Sequence, residues 1–253
     1  STKVLLLEDG IPFTIAPYGD NATYYHPPLE RFERIEVLKG SGQILFGPQT
    51  IGGVINYITP ALPTALNGTA SFALGDRGFL DGHARAGGMM GRVGVLLDYI
   101  RKEGRGAREN VGSRFNDVSL KALVRLGAAQ TLTWRANYYA ERSRVTYSGL
   151  TESEYAADPR QNPFRNDSLL LDRWGVSATH RLTVGDGTTV TTTAYGYRVS
   201  RDWWRQSSSS EQRPNDRADP ACGGMQNLNT ACGNQGRLRD YAVWGVEPRV
   251  RAP

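Results

Sequence analysis

The chain has 253 residues, 39% of them hydrophobic, and no run approaches the ~20 consecutive apolar residues that a membrane-spanning helix needs. A β-barrel stays open, because its strands need only about ten residues with every second one apolar. Charge is nearly balanced, 30 Lys+Arg against 25 Asp+Glu for a net +5, and the lack of a long basic run gives nucleic-acid binding little support.

In chain order, residues 1–63 read as a compact unit with single glycines at turns. The chain opens inside an apolar strand-like run, residues 4–7, with no signal peptide at Ser1, and it ends in another strand-like stretch. Both ends are therefore expected to be cuts, and the chain a fragment. Residues 34–60 read RIEVLKGSGQILFGPQTIGGVINYITP. Here residues 35–38 form a short strand, Ser41-Gly42 and Gly47-Pro48 turn the chain, and Gly52-Gly53 let backbone approach backbone. Residues 54–58 are a second strand, ended by Thr59-Pro60. Taken alone, this is a glycine-rich β-turn-β unit that any small α/β domain could carry.

After Asn67 the texture becomes a series of period-two segments. Val118, Leu120, Ala122 and Val124 share one face, and Leu132, Trp134, Ala136 and Tyr138 share the next. Trp174, Val176, Ala178 and Leu182 follow, then Tyr195, Tyr197 and Val199 opposite Thr192, Arg198 and Ser200. Last come Ala242, Trp244 and Val246. About eight such strands are expected, longer than the roughly five or six residues usual in soluble sheets. Tight turns near residues 90–92, 127–129 and 185–187 alternate with long polar loops near 104–114, 143–168 and 206–237. Outer-membrane barrels sort their connections in this way. Tyr99, Tyr138, Tyr139, Trp203 and Trp204 lie near the loop-side ends, as an interfacial girdle would, with ordinary cross-strand packing as the alternative.

Cys222 and Cys232 lie in a Gly/Asn/Ser/Thr-rich loop. A local disulfide in an oxidising compartment is favoured over a metal pair, since no His or further Cys lies nearby to complete a site. His26, His83 and His180 are scattered and make no ligand set.

The order of residues in 34–60 resembles the plug domain of TonB-dependent receptors, with Phe46 standing where Tyr is usual. The stretch VLLLEDGIPFTIAPYG at 4–19, the 149–159 segment and Gly245-Val246-Glu247-Pro248-Arg249 resemble the ferric-citrate receptor branch. The resemblance implies an α+β plug, of which residues 1–63 are the C-terminal part, followed by the N-terminal part of an all-β transmembrane antiparallel barrel at 64–253. It implies a bacterial outer-membrane receptor with no catalytic constellation and no intrinsic cofactor, iron being carried as the ferric chelate ligand. The implied partners are a ferric siderophore or ferric citrate, outer-membrane lipid, and the TonB–ExbB–ExbD complex, which would pull on an N-terminal box preceding Ser1.

Ferric citrate is anionic and rich in carboxylate oxygens, so its site calls for Arg forks and neutral donors. The plug loops supply Thr14 and Gln49, and the barrel supplies Arg205 and Arg239 beside the longest loop, with Arg142 and Arg144 as weaker choices. Each arginine alone could equally be a solvated loop residue or a lumen charge paired with an acid. Arg31, Glu33, Arg34 and Glu36 are expected to hold the plug in the barrel. A receptor for cobalamin, haem or an oligosaccharide is the alternative within the fold, and a passive porin the alternative outside it.

Overall fold

The computed structural model describes residues 4–13, 25–40, 50, 52–146, 149–164, 167–205 and 235–253. Two sheets make up the fold. The smaller has β1 (Val4–Glu8), β2 (Ile11–Pro12), β3 (Arg34–Leu38) and β4 (Gly53–Ile58), in the order β2-β1-β4-β3. β1 and β4 run parallel, Val4 opposite Gly53 and Glu8 opposite Tyr57, while β3 pairs antiparallel with β4. Buried Leu5, Leu7 and Val54 form the core of this sheet. No α-helix occurs among the described residues of 1–63, where a 3-10 turn at Leu29–Arg31 is the helical element. Among the described residues of this part, the regular structure is otherwise β-strand.

The larger sheet contains β5 (Asn67–Gly75), β6 (Phe79–Met90), β7 (Val93–Arg105), β8 (Gly112–Arg125) and β9 (Gln130–Arg144), then β10 (Ser168–Thr183), β11 (Thr189–Arg205) and β12 (Gln235–Arg251). Its eight strands are antiparallel neighbours in strict sequence order, and β5 and β12 stand at its two edges. The sheet is thus an open arc of wall. At one end the connections are tight: Leu126 N–H donates to Gln130 O at 3.0 Å, and Val184 N–H to Thr188 O at 2.8 Å. At the other end lie the 106–111 and 145–167 connections, the second holding a short helix α1 (Glu152–Ala157) whose Thr151 and Glu154 form a capping box. One connection breaks the alternation: β5 and β6 are joined at the loop end by only Asp76–Gly78, with Arg77 at φ 54°.

Strand register sorts the two faces of the wall. Outward-pointing Leu120, Trp134, Trp174, Val176, Trp244 and Val246 are exposed, Trp244 to 82%. A contiguous apolar surface of this kind marks a lipid contact. Tyr99, Val118, Tyr138 and Trp174 form one row across four strands at its upper edge, with the Tyr138 and Trp174 rings 4.3 Å apart. Above the row the outer face turns polar, as in the Arg142–Asp172 ion pair at 2.7 Å. β10 and β11 have 16 and 17 residues, whereas about 9–11 cross the hydrocarbon layer. They therefore run well past it on the loop side.

The inner face is a protein core. Tyr139, Leu171, Tyr197 and Val199 bury themselves against Phe13 and Tyr25 of the smaller sheet's loops. In β11 the apolar side, Tyr195, Tyr197 and Val199, thus points to the plug rather than to lipid, because the plug fills the space inside the arc. The aromatic girdle divides likewise. Tyr99 and Tyr138 face outward, while Tyr139 is buried in the plug contact and Trp203 lies on the inner side.

Gly53, at the start of β4, has φ +122°, and a Cβ there would stand 2.6 Å from the Leu38 carbonyl oxygen. Gly53→Ala is expected to cost about 1–3 kcal/mol and to lower the thermal midpoint of the full-length protein; an unchanged midpoint would show that β4 can shift away from β3.

Candidate functional site: the plug lock and the inner arginine wall

The site is built at two levels inside the arc. At the lower level, charged groups join the plug to the wall. Arg31, only 1% exposed, closes the 3-10 turn after Pro27-Pro28. Its Nη1 donates to both carboxylate oxygens of Asp117 on β8, at 3.1 and 2.8 Å. Its Nη2 donates to Glu8 at the end of β1 and to the Tyr25 hydroxyl, the latter at 3.2 Å. Arg135 on β9 reaches Glu8 at 3.3 Å and also pairs with Asp9. Asp9 in turn accepts from the Thr59 N–H at 2.9 Å. Arg85 and Lys102 extend the seam, Arg85 donating to the Glu30 carbonyl at 2.9 Å and Lys102 pairing with Glu30. Lys121 donates to the Pro60 carbonyl at 2.7 Å.

Burial works to raise the Glu8 carboxyl, but Arg31, Arg135 and other cations outweigh it and hold it below its ordinary range. Burial also works against the Arg31 charge, and Glu8, Tyr25 and Asp117 overcome it, so the guanidinium is held well above its ordinary value. Burial pushes the Tyr25 hydroxyl up. All three groups therefore sit at neutral pH in the form the cluster needs.

Of the four plug residues expected to grip the barrel, Arg31 does so. Arg34 and Glu36 pair with each other at 2.9 Å on the exposed face of β3, and Glu33 accepts from the Ala61 N–H at 3.1 Å. Glu8, Asp9 and Glu30 supply the other contacts. No local motif marks them, because their partners lie up to 126 residues away.

The upper level is cationic. Arg201 stands opposite Arg239 in the β11–β12 register, on the inner face. Arg205 lies four residues further along the same face, its guanidinium 4.4 Å from the Trp203 ring centre. Arg237 approaches that ring at 5.7 Å, and Arg239 donates to the Tyr241 hydroxyl at 3.3 Å. Arg201 and Arg205 are buried, at 1% and 5% exposure. Below them Arg173 is held between the Tyr25 and Tyr197 rings, 4.7 and 4.9 Å from their centres. The arrangement offers planar guanidinium forks backed by aromatic rings, which suits carboxylate-rich anions.

The structure thus brings Arg205 and Arg239 together on the inner wall and adds Arg201 and Arg173, which sequence reasoning missed. Arg201 was within reach of it, since it shares the period-two face of Arg205. Arg142 and Arg144 do not join the group. Both project from the outer face, two and four residues beyond Ala140 on the lipid side of β9, and Arg142 is paired there with Asp172. Their loop-side position was read correctly, but strand parity turns them away from the lumen. Thr14, Gln49, Cys222 and Cys232 lie outside the described residues.

Residues 1–54 match the family described as the TonB-dependent Receptor Plug Domain. The vitamin B12 transporter BtuB of Vibrio cholerae is 36% identical over 96 residues, 38% of this chain and 16% of that protein. BtuB of Photobacterium profundum is 34% identical over 104 residues, 41% of this chain and 17% of that protein. The unliganded ferric citrate transporter FecA superposes with a TM-score of 0.80 at 23% identity, covering all of this chain and 36% of FecA. The open form of the ferric-catecholate import receptor Fiu from Escherichia coli K12 gives 0.73 at 16% identity, covering 98% and 39%. The chain therefore spans about a sixth of the curated relatives and somewhat over a third of the solved structures.

Removing one partner of a buried ion cluster leaves the others uncompensated, so Arg31→Leu is expected to destabilise the plug–wall contact by roughly 3–5 kcal/mol, read as earlier proteolysis of the plug in the full-length protein. The pH response follows from Glu8. Its folded-state value is lowered, so its contribution is complete at neutral pH and is lost as pH falls through that value, below the ordinary carboxylate range. Acid melting curves should show this loss in the wild type and not in Glu8→Gln; superimposable curves would assign the acid sensitivity to another group. With its plug-domain match and its receptor-like wall of strands, the chain is a piece of a bacterial outer-membrane protein.

Proposed function

We propose that the chain forms the plug-and-wall portion of a TonB-dependent receptor that captures an anionic ferric chelate, with ferric citrate as the ligand. The observation that carries this reading is the inner wall of Arg201, Arg205 and Arg239 above the plug, set among Trp203 and Tyr241. Citrate carboxylates would bridge the opposed arginines, whose planar forks match carboxylate geometry. Iron enters as part of the cargo, and no bond in the ligand has to be broken. The likeness in fold to the ferric citrate transporter adds support. Energy would come from the TonB complex acting on a segment ahead of this one, and the lock around Arg31 would be what that work has to loosen.

A second reading has its own observation behind it: the curated relatives named here are vitamin B12 transporters. Cobalamin is bulky and does not need a concentration of guanidinium groups, so the two ligands separate on the arginines. The full-length receptor should bind ferric citrate, and Arg201→Ala or Arg239→Ala should each weaken binding by roughly tenfold or more. Arg198→Ala, on the outer face beside Asp240, should leave affinity unchanged. Tight binding of cyanocobalamin that is indifferent to Arg201 and Arg239, with no ferric citrate bound, would replace the first reading by the second.

A further inference from the structure

Toward the tight-turn end of the wall, below Arg31, the inner face borders a chamber that the upper arginines do not account for. Thr133 on β9, Thr179 on β10 and Thr193 on β11 stand side by side in one inward row, with the Thr179 and Thr193 hydroxyls 3.2 Å apart. Two residues further up the wall, about 7 Å along the strands, Lys121 stands directly opposite Arg135. The plug borders the chamber with its Asp9-Gly10 turn, where a Cβ at Gly10 would lie 3.8 Å from the Arg249 guanidinium. The space is about 260 Å³, near the lower end of pockets that take small molecules, roughly 300 Å³.

The plug occupies the cations of this chamber. Arg135 reaches Glu8 at 3.3 Å and pairs with Asp9, and Lys121 donates to the Pro60 carbonyl at 2.7 Å. Glu247, the wall's own acid among the described lining residues, accepts from Arg249 at 2.8 Å and from the Tyr195 hydroxyl at 3.3 Å. Glu8 and Asp9 thus give Arg135 the same carboxylate oxygens that a carboxylate-rich cargo would give it. Moving the β1–β2 turn would take Asp9 away and leave a guanidinium fork, an ammonium group and a row of hydroxyl donors facing one space. The chamber also continues the descent from the upper level. On the inner face Arg201 and Arg239 come first, Arg173 two residues lower, and Arg135 with Lys121 four residues below that.

We propose that this chamber is a transit site for the anionic chelate, below the level at which it is captured, and that Glu8 and Asp9 hold Arg135 in the cargo's place until the plug moves. The inference rests on the carboxylate-ligand reading given under Proposed function. The test compares binding of radiolabelled ferric citrate to de-energised cells carrying the full-length receptor with uptake by energised cells. Arg135→Gln and Asp9→Asn break the same plug contact, so a purely structural role for Arg135 would move both alike. Binding should match the wild type in both. Uptake by Arg135→Gln should fall about tenfold below that of Asp9→Asn, as loss of a charge-assisted contact predicts, and Arg135→Lys should recover most of it. The double variant Thr179→Val, Thr193→Val leaves the lock intact; it should bind normally and take up ferric citrate several-fold more slowly. Normal binding with equal uptake by Arg135→Gln and Asp9→Asn, or with undiminished uptake by the threonine variant, would overturn the transit site alone. Failure of the wild type to bind ferric citrate would overturn the ligand reading and the transit site with it. If Arg135→Gln does not fold, the threonine variant still decides.

Discussion

The Arg31 guanidinium sits almost without solvent between Glu8 of the plug and Asp117 of the wall, the most buried of the cations that tie the small sheet to the large one. Burying three charges is costly, and a well-packed apolar cluster could be as stable. What the cluster adds is position. Apolar surfaces such as Phe13 against Tyr139 and Tyr197 can slide with little penalty, whereas a guanidinium fork on one carboxylate fixes both distance and angle. The rest of the inner face follows from that placement. With Glu8 held, Arg135 can reach both Glu8 and Asp9, and Tyr25 comes to lie over Arg173.

The wall carries arginines on both faces, in different surroundings. Inside, Arg173, Arg201 and Arg205 are buried, and Arg173 and Arg205 lie over aromatic rings, where water screens their charge little. Outside, Arg114 and Arg144 lie on the exposed face beyond the aromatic row, with Arg114 opposite Glu103. Two positions on one strand separate a lumenal from a lipid-side role only when their parity differs, and in β9 Tyr139 and Arg142 fall on opposite sides of that division.

Much of the wall was legible in the sequence because period two is a local property. Trp134, Ala136 and Tyr138 announce their strand without any knowledge of their neighbours. What alternation does not give is which side is wet. In β11 the apolar side packs on the plug, and the lumen of a plugged barrel is itself a core, so the usual reading of apolar as lipid-facing reverses there. The same gap explains Arg142 and Arg144: their place near a loop was visible, but facing depends on counting from a residue of known side. The lock was illegible for another reason. Glu8, Arg31 and Asp117 are unremarkable acids and a base along the chain, and only the fold brings them together, Arg31 and Asp117 alone being 86 positions apart.

The parallel pairing of β1 with β4 has a mechanical consequence. β1 is an inner strand of its sheet, and its register runs from Val4 opposite Gly53 to Glu8 opposite Tyr57. A pull that enters ahead of Val4 and is resisted where β4 leaves for the wall would load these rungs along the strand axis. Parallel neighbours held at opposite ends share such a load across every rung at once, instead of opening like a zip. Tension along β1 would then be passed into β4 before it reached Glu8, so the paired positions from Val4 to Glu8 would have to fail together.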